Sequence, residues 1–242
     1  MSHPIDRIAA ATARLHAQLG ARDASVCARR LTDEALLGGL ADISEARKAL
    51  SLLESAYSAE VERRSDASLG YAGLAQRTGH RTGTALIQHV TGQTRSDVQK
   101  ATNAGRDLAG TLPIPGPDSE PESDAAPPPP RWFEPLVDAL TSGTLSREQY
   151  DAIRRGLGAP PERDYPDLAA GFLVAAWREA AVQLIDEASD RAVEDLRADA
   201  RLARDSLDPK GVQTRFDERF ANRSFPVVDR RDRTAARHDR LR

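Results

Sequence analysis

The strongest constraint on this chain is the spacing of its apolar residues. Over most of its length they recur at intervals of three and four, and no segment sustains the period-two alternation of a strand. The longest stripe opens at Thr32, a good N-cap, with Asp33 and Glu34 in the first turn, where the helix dipole favours anions. Leu36, Leu40, Ile43, Leu50, Leu53, Tyr57 and Val61 follow, to about Asp66. A stripe of that kind is expected to bury against other helices. The fold class expected is all-α: a multi-helix bundle of long amphipathic helices.

Shorter helices are expected on either side. Residues 4–19 carry Ile5, Ile8, Ala9, Ala13, Leu15 and Leu19. Two short helices cover about 69–78 and 82–90, the second with Leu86 and Val90 on one face. Thr91-Gly92-Gln93-Thr94 reads as a turn, and Thr94 with Asp97 has capping-box spacing for a helix over 95–109. Val98, Ala101, Gly105 and Leu108 line its inner face. Further on, Trp132 to Leu140 form a short helix ending near Gly143, and Ser146 opens another that ends at Gly156 or Gly158. A long helix begins near Pro166, with Leu168, Phe172, Leu173, Ala176, Ala180, Leu184 and Ile185 as its apolar set. It is expected to run on through Val193, Leu196 and Leu202. Asp208-Pro209 starts a last helix with Val212, Phe216 and Phe220.

The clearest boundary is residues 110–130, which hold eight of the fifteen prolines, four acids and no base. Proline lacks the amide donor and the acids repel one another, so the stretch reads as a disordered proline-rich acidic spacer. The chain therefore divides into an N-terminal helical part (1–109), the spacer (110–130), a C-terminal helical part (131–225) and a basic tail (226–242).

Composition excludes several classes. One cysteine, Cys27, rules out a disulfide framework and any multi-thiolate metal site, and it reads as a packing residue at a helix junction. No run of 18 apolar residues exists, so no membrane span is expected. The first residues carry no readable signal peptide, and a cytoplasmic location is the expectation. The net charge of -3 hides an asymmetry: residues 201–242 hold twelve bases and seven acids, so the rest carries -8. A basic end on an acidic body suits a nucleic-acid or acidic partner, while alternating signs such as Asp229-Arg230-Arg231-Asp232-Arg233 equally suit a solvated helix.

No catalytic residues, metal ligands or cofactor motif are expected. The histidines are His3, His16, His80, His89 and His238, none at the i, i+4 spacing that lets two imidazoles share a metal on one helix. His80 and His89, nine apart, read as surface or capping residues. There is no nucleophile elbow, Walker A loop or dinucleotide fingerprint. The acidic run Asp186, Glu187, Asp190, Glu194, Asp195 and Asp199 is interleaved with Arg191 and Arg197. It reads as a solvated helix held by Glu187–Arg191 and Glu194–Arg197 pairs.

Two surfaces suit DNA, and the alternative for the first is a plain solvated helix face whose charge Asp97 and Asp107 dilute. At 100° per residue, Arg95, Gln99, Asn103 and Arg106 fall within about an 80° arc of their helix, opposite its apolar set. These side-chain types match base edges in the major groove. The preceding helix and glycine turn give a helix-turn-helix-like order of elements. The second surface is Lys210 with Arg215, Arg219 and Arg223, the last three recurring every four residues as a ridge for phosphates.

Four stretches carry a family resemblance. They are Leu31-Thr32-Asp33-Glu34-Ala35-Leu36-Leu37, the junction Thr91–Asp97, Leu140–Gln149, and Leu207-Asp208-Pro209-Lys210-Gly211-Val212 running into Arg219 and Arg223-Ser224-Phe225. On these, residues 30–225 resemble the 13E12 repeat family, also called domain of unknown function 222. The resemblance implies a helical domain N-terminal to an HNH endonuclease domain, engaging or positioning DNA. It supplies no catalytic residue here, since beyond Phe225 the chain has only His238 and no cysteine. The function expected is a non-catalytic DNA-associated module, not itself an enzyme, with the nuclease half on the same or an adjacent chain. The alternative is a helical protein–protein interaction or homo-oligomerisation module without DNA binding, supported by the stripe Leu36–Val61 and the apolar helix around Leu168–Ile185.

Overall fold

The computed structural model describes residues 3–19, 26, 28–111 and 131–221. The rest of the spacer, the basic tail, Cys27 and Arg223 lie outside the described residues. Among the described residues the protein is all-α and contains no strand. The helices are α1 (Pro4–Leu19), α2 (Asp33–Arg63), α3 (Leu74–Arg77), α4 (Gly83–Thr91), α5 (Arg95–Thr111), α6 (Glu134–Ser142), α7 (Arg147–Leu157), α8 (Phe172–Glu187), α9 (Val193–Leu207) and α10 (Pro209–Ala221). They divide between two compact units, residues 1–207 and 208–242.

Local chemistry starts the helices where the sequence places them. The Thr32 hydroxyl accepts from the Ala35 amide at 3.3 Å, Thr82 from Ala85 at 3.1 Å, and Thr94 from Asp97 at 3.2 Å. The Thr94–Asp97 pair differs from a full capping box. Asp97 has one methylene fewer than Glu, and its carboxylate accepts a hydrogen bond from the Thr94 hydroxyl at 2.7 Å. The full box forms at α7, where Ser146 and Gln149 exchange both side chain–backbone bonds. Gly92 and Gly143 end α4 and α6 in the left-handed conformation that glycine adopts without strain.

The first unit has one core, drawn from both sides of the spacer. Leu52 and Ala104 precede it; Trp132, Leu136, Leu140, Leu145, Tyr150, Ile153, Leu157, Leu173, Trp177, Leu184 and Leu196 follow it. Long-range polar bonds fix the layers. The Arg7 guanidinium donates to the Ser142 and Thr141 carbonyls at the end of α6 (2.6 and 3.3 Å), and Lys48 of α2 donates to the Gly143 carbonyl at 3.1 Å. These cations satisfy carbonyls that the helix end leaves without intrahelical partners.

Four expectations change. The buried face of α2 is not the large apolar stripe but a set of small residues, Gly39, Ala49, Ser51, Ser55, Ser58 and Ala59, with Leu52. Leu40, Ile43, Leu50 and Tyr57 are exposed. Small residues let α5 approach α2 closely: a methyl group on Gly105 would overlap the Ser55 carbonyl oxygen. The helix expected over 69–78 is a 3-10 segment, Ala67–Ala72, and the four-residue α3. It breaks because Gly70 has positive φ and Gly73 is extended. On α4, Ile87 is buried while Val90 is exposed. The long helix from Pro166 is two helices, with Leu168 and Phe172 exposed. α8 starts at Phe172 and stops at Glu187, where the Gln149 side chain donates to the Ala188 carbonyl at 2.7 Å. α9 then packs Leu196 and Ala200 into the same core, with Leu202 exposed.

In the second unit, the buried Asp208 starts α10. Its carboxylate accepts from the Gly211 amide and from Arg215, both at 2.9 Å.

Candidate functional site

Arg95, Gln99, Asn103 and Arg106 are all exposed, on one face of α5. The opposite face holds Val98, Ala101, Ala104 and Gly105 in the core, with Leu108 partly buried. Binary patterning thus determines which way the polar set points.

The turn before α5 is held from outside. Glu54 of α2 accepts from the side-chain carboxamide Nε2 of Gln93 in the turn and from Arg147 of α7 at 2.5 Å. At the other end, Asp107 accepts from the Tyr150 hydroxyl at 2.6 Å and from Arg154 at 3.0 Å. The Arg154 guanidinium also lies over the Trp132 and Phe133 rings, 4.7 and 4.4 Å from their centroids. Burial, then the Asp107 charge, pushes the Tyr150 phenol well above its ordinary range, so it stays a neutral donor. α5 is therefore clamped at both ends, which presents its four polar residues from a rigid element. Bonds from the Thr94 hydroxyl and Lys100 keep Asp97 below the usual carboxylate range.

The structure adds cations that local sequence reasoning missed. Lys100, Arg154 and Arg155 line a small pocket with Asn103. On the other side Arg106 lines a cleft of about 650 Å³, together with Arg63 and Arg81 and the acids Glu60, Glu62 and Asp66. Only Lys100 shares a helix with the polar set; the others come from distant positions, and nothing in their spacing signals the meeting.

Glu60 in that cleft accepts from Arg63 (2.7 Å) and Arg64 (2.6 Å), which hold its carboxyl at about 2, below the ordinary 4.5. A depressed carboxylate stabilises the fold above its unfolded value, and that contribution is lost as pH falls towards the folded one. The pH window is thus from about 4.5 down to about 2. Glu60→Gln is expected to weaken the fall in urea midpoint across that window, and an unaltered pH profile contradicts the pairing. The effect is small, because Glu60 and its partners are solvated.

Other candidate groups sort as follows. The rings of His80 and His89 come together, centroids 5.0 Å apart, with His80 Nδ1 3.4 Å from the Thr78 hydroxyl. Among the described residues no three histidine, cysteine or acidic side chains gather as metal ligands. In the acidic run, Arg191 pairs with Glu187 at 3.4 Å as expected, while Arg197 lies 3.7 Å from Asp151 of α7. Burial raises the Asp151 carboxyl despite Arg155, Lys100 and Arg197 around it. Of the phosphate ridge, Lys210 is exposed, and Arg215 is turned back onto Asp208. The Arg219 side chain and Arg223 lie outside the described residues. No described helix is long and apolar enough to cross a membrane.

No protein-family model matches the chain, and no curated protein or solved structure matches it significantly.

Proposed function

We propose that this chain is a non-catalytic DNA-associated helical module whose α5 face reads duplex DNA. The observation that carries the reading is the outward set Arg95, Gln99, Asn103 and Arg106, on a helix that follows a glycine turn and is clamped at both ends. Guanidinium and carboxamide groups pair bidentately with guanine and adenine edges, each good pair discriminating by about 1–3 kcal/mol. Lys100 and Arg155 on one flank and Arg81 on the other suit the phosphates beside such a groove. The resemblance to the 13E12 repeat family points the same way, with an HNH nuclease half on this or an adjacent chain. In the second unit, Lys210, Arg219 and Arg223 are the candidates for further phosphate contacts, and Arg215 contributes there only by leaving Asp208.

Fluorescence anisotropy with a labelled duplex over a salt series tests the reading. Binding is expected to weaken steeply as salt rises, because each neutralised phosphate releases counterions. The double variant Arg95→Ala, Arg106→Ala is expected to flatten the log–log slope by up to about 2 if both touch phosphate. If they read bases instead, the slope holds and sequence preference is lost. No duplex affinity at low salt defeats the proposal. Plasmid cleavage by the purified protein with magnesium or manganese, abolished by EDTA, defeats its non-catalytic part.

A further inference from the structure

One face of α2 carries a heptad seam that the bundle leaves largely exposed, with Leu36, Glu54 and Val61 half-buried. Leu36, Ile43, Leu50 and Tyr57 recur every seven residues, and so do Leu40, Arg47, Glu54 and Val61, the two series interleaved at spacings of four and three. Leu40, Ile43, Leu50 and Tyr57 are 62, 42, 54 and 72% exposed. The seam runs along roughly 38 Å of helix at 1.5 Å per residue. The core-facing side of α2 is the small-residue set around Ser55, so burial within the first unit does not consume the seam. Large apolar side chains left exposed in line on one helix face suit an interaction surface, and Arg47 and Glu54 within the line supply its charge pattern.

We propose that the seam docks a second copy of the chain, α2 against α2 and antiparallel. Charge decides the partner and its direction. In a parallel pair Arg47 would face Arg47, and Glu54 would face Glu54. In an antiparallel pair with its two-fold axis near Leu50, Arg47 comes opposite Glu54 of the other copy, while the two Arg47 side chains are displaced from one another by more than a turn. Leu40 and Ile43 then meet Tyr57 and Val61. Asp33 and Glu34 in the first turn come opposite Arg63 and Arg64 at the C-terminal end, and the helix dipoles oppose. Glu54 is held in place by Arg147 and Gln93, and a carboxylate keeps acceptor capacity for a further donor. A specific interface buries roughly 1,000 Å² or more in total, so the flanking residues of α2 join the seam in it.

Light scattering on the full chain from about 1 to 100 µM, without DNA, tests this independently of the DNA reading, since dimer content follows mass action. A mass of two chains that rises with concentration is expected. The variant Leu40→Glu, Leu50→Glu is expected to be monomeric with unchanged far-UV circular dichroism, because both positions are exposed in the single chain. Direction is read by oxidative cross-linking in a Cys27→Ser background. Leu50→Cys, near the two-fold axis, is expected to link to itself. Leu40→Cys is expected to link to Tyr57→Cys and not to itself. A single-chain mass at every concentration, a dimer untouched by the two glutamates, or self-linking by Leu40→Cys overturns the proposal.

Discussion

Trp177→Ala is expected to lower the unfolding free energy of the first unit by about 3–5 kcal/mol, the range for emptying a large aromatic site in a packed core. Among the described residues Trp177 is the largest fully buried side chain, in α8 within the cluster that joins α6, α7, α8 and α9. Its indole N–H also donates to the Leu157 carbonyl at 3.2 Å, one of the carbonyls that the end of α7 cannot bond internally. Domains of this size are stable by about 5–15 kcal/mol, so the variant approaches the unfolding threshold at 25 °C. Trp177→Phe separates the two contributions. It keeps much of the volume but strands the Leu157 carbonyl, and a loss of about 1–3 kcal/mol is expected from that group together with the smaller ring. Urea titration followed by circular dichroism measures both. A loss below about 1 kcal/mol for the alanine variant contradicts the packing described.

Gly105→Val is the second large effect. A β-carbon on Gly105 collides with the Ser55 carbonyl and the Ala59 methyl, and the carbonyl belongs to helix backbone that cannot step aside alone. Alanine in place of glycine ordinarily gains up to about 1 kcal/mol in a helix interior. Here that gain opposes an overpacking cost of about 1–3 kcal/mol or more, which grows with the branched side chain. Gly38, on the same α2, is the control: no atom would lie within 4 Å of its added β-carbon. Gly38→Ala is expected to stabilise by a few tenths to about 1 kcal/mol. If both glycines respond alike to alanine, close approach of α2 and α5 is not what Gly105 provides. Because α5 carries Arg95 and Arg106, the valine variant is also expected to weaken any duplex binding beyond its loss of folded fraction.

Helix positions were largely legible because their determinants are local. Thr32, Thr82, Thr94 and Ser146 each bond the amide three residues on in their own helix, and Gly92 and Gly143 close their helices without a β-carbon. The outward direction of Arg95, Gln99, Asn103 and Arg106 was legible for the same reason, since 100° per residue sets a face once the helix exists. The buried face of α2 was not legible. Hydrophobicity favoured Leu40, Ile43, Leu50 and Tyr57, yet the packed side is Gly39, Ala49, Ser51, Ser55 and Ser58. What decides there is how near another backbone comes, a distance that no periodicity encodes. Trp177 was passed over in favour of Leu168 and Phe172 because apolar residues cover much of that stretch. The bond of Gln149 to the Ala188 carbonyl is likewise invisible without the fold.

By itself, the sequence determined the helical class, where the helices capped by Thr32, Thr82, Thr94 and Ser146 begin, and which side of α5 turns its donors and acceptors outward. All three follow from contacts within a few residues along the chain. Only the tertiary structure decided that residues before and after the spacer share one core, that Glu54 binds both Gln93 and Arg147, and that the seam of α2 is left open. Those outcomes depend on groups tens of residues apart meeting within 3 to 4 Å, and such meetings are set by the shapes of packed helices rather than by the order of their residues.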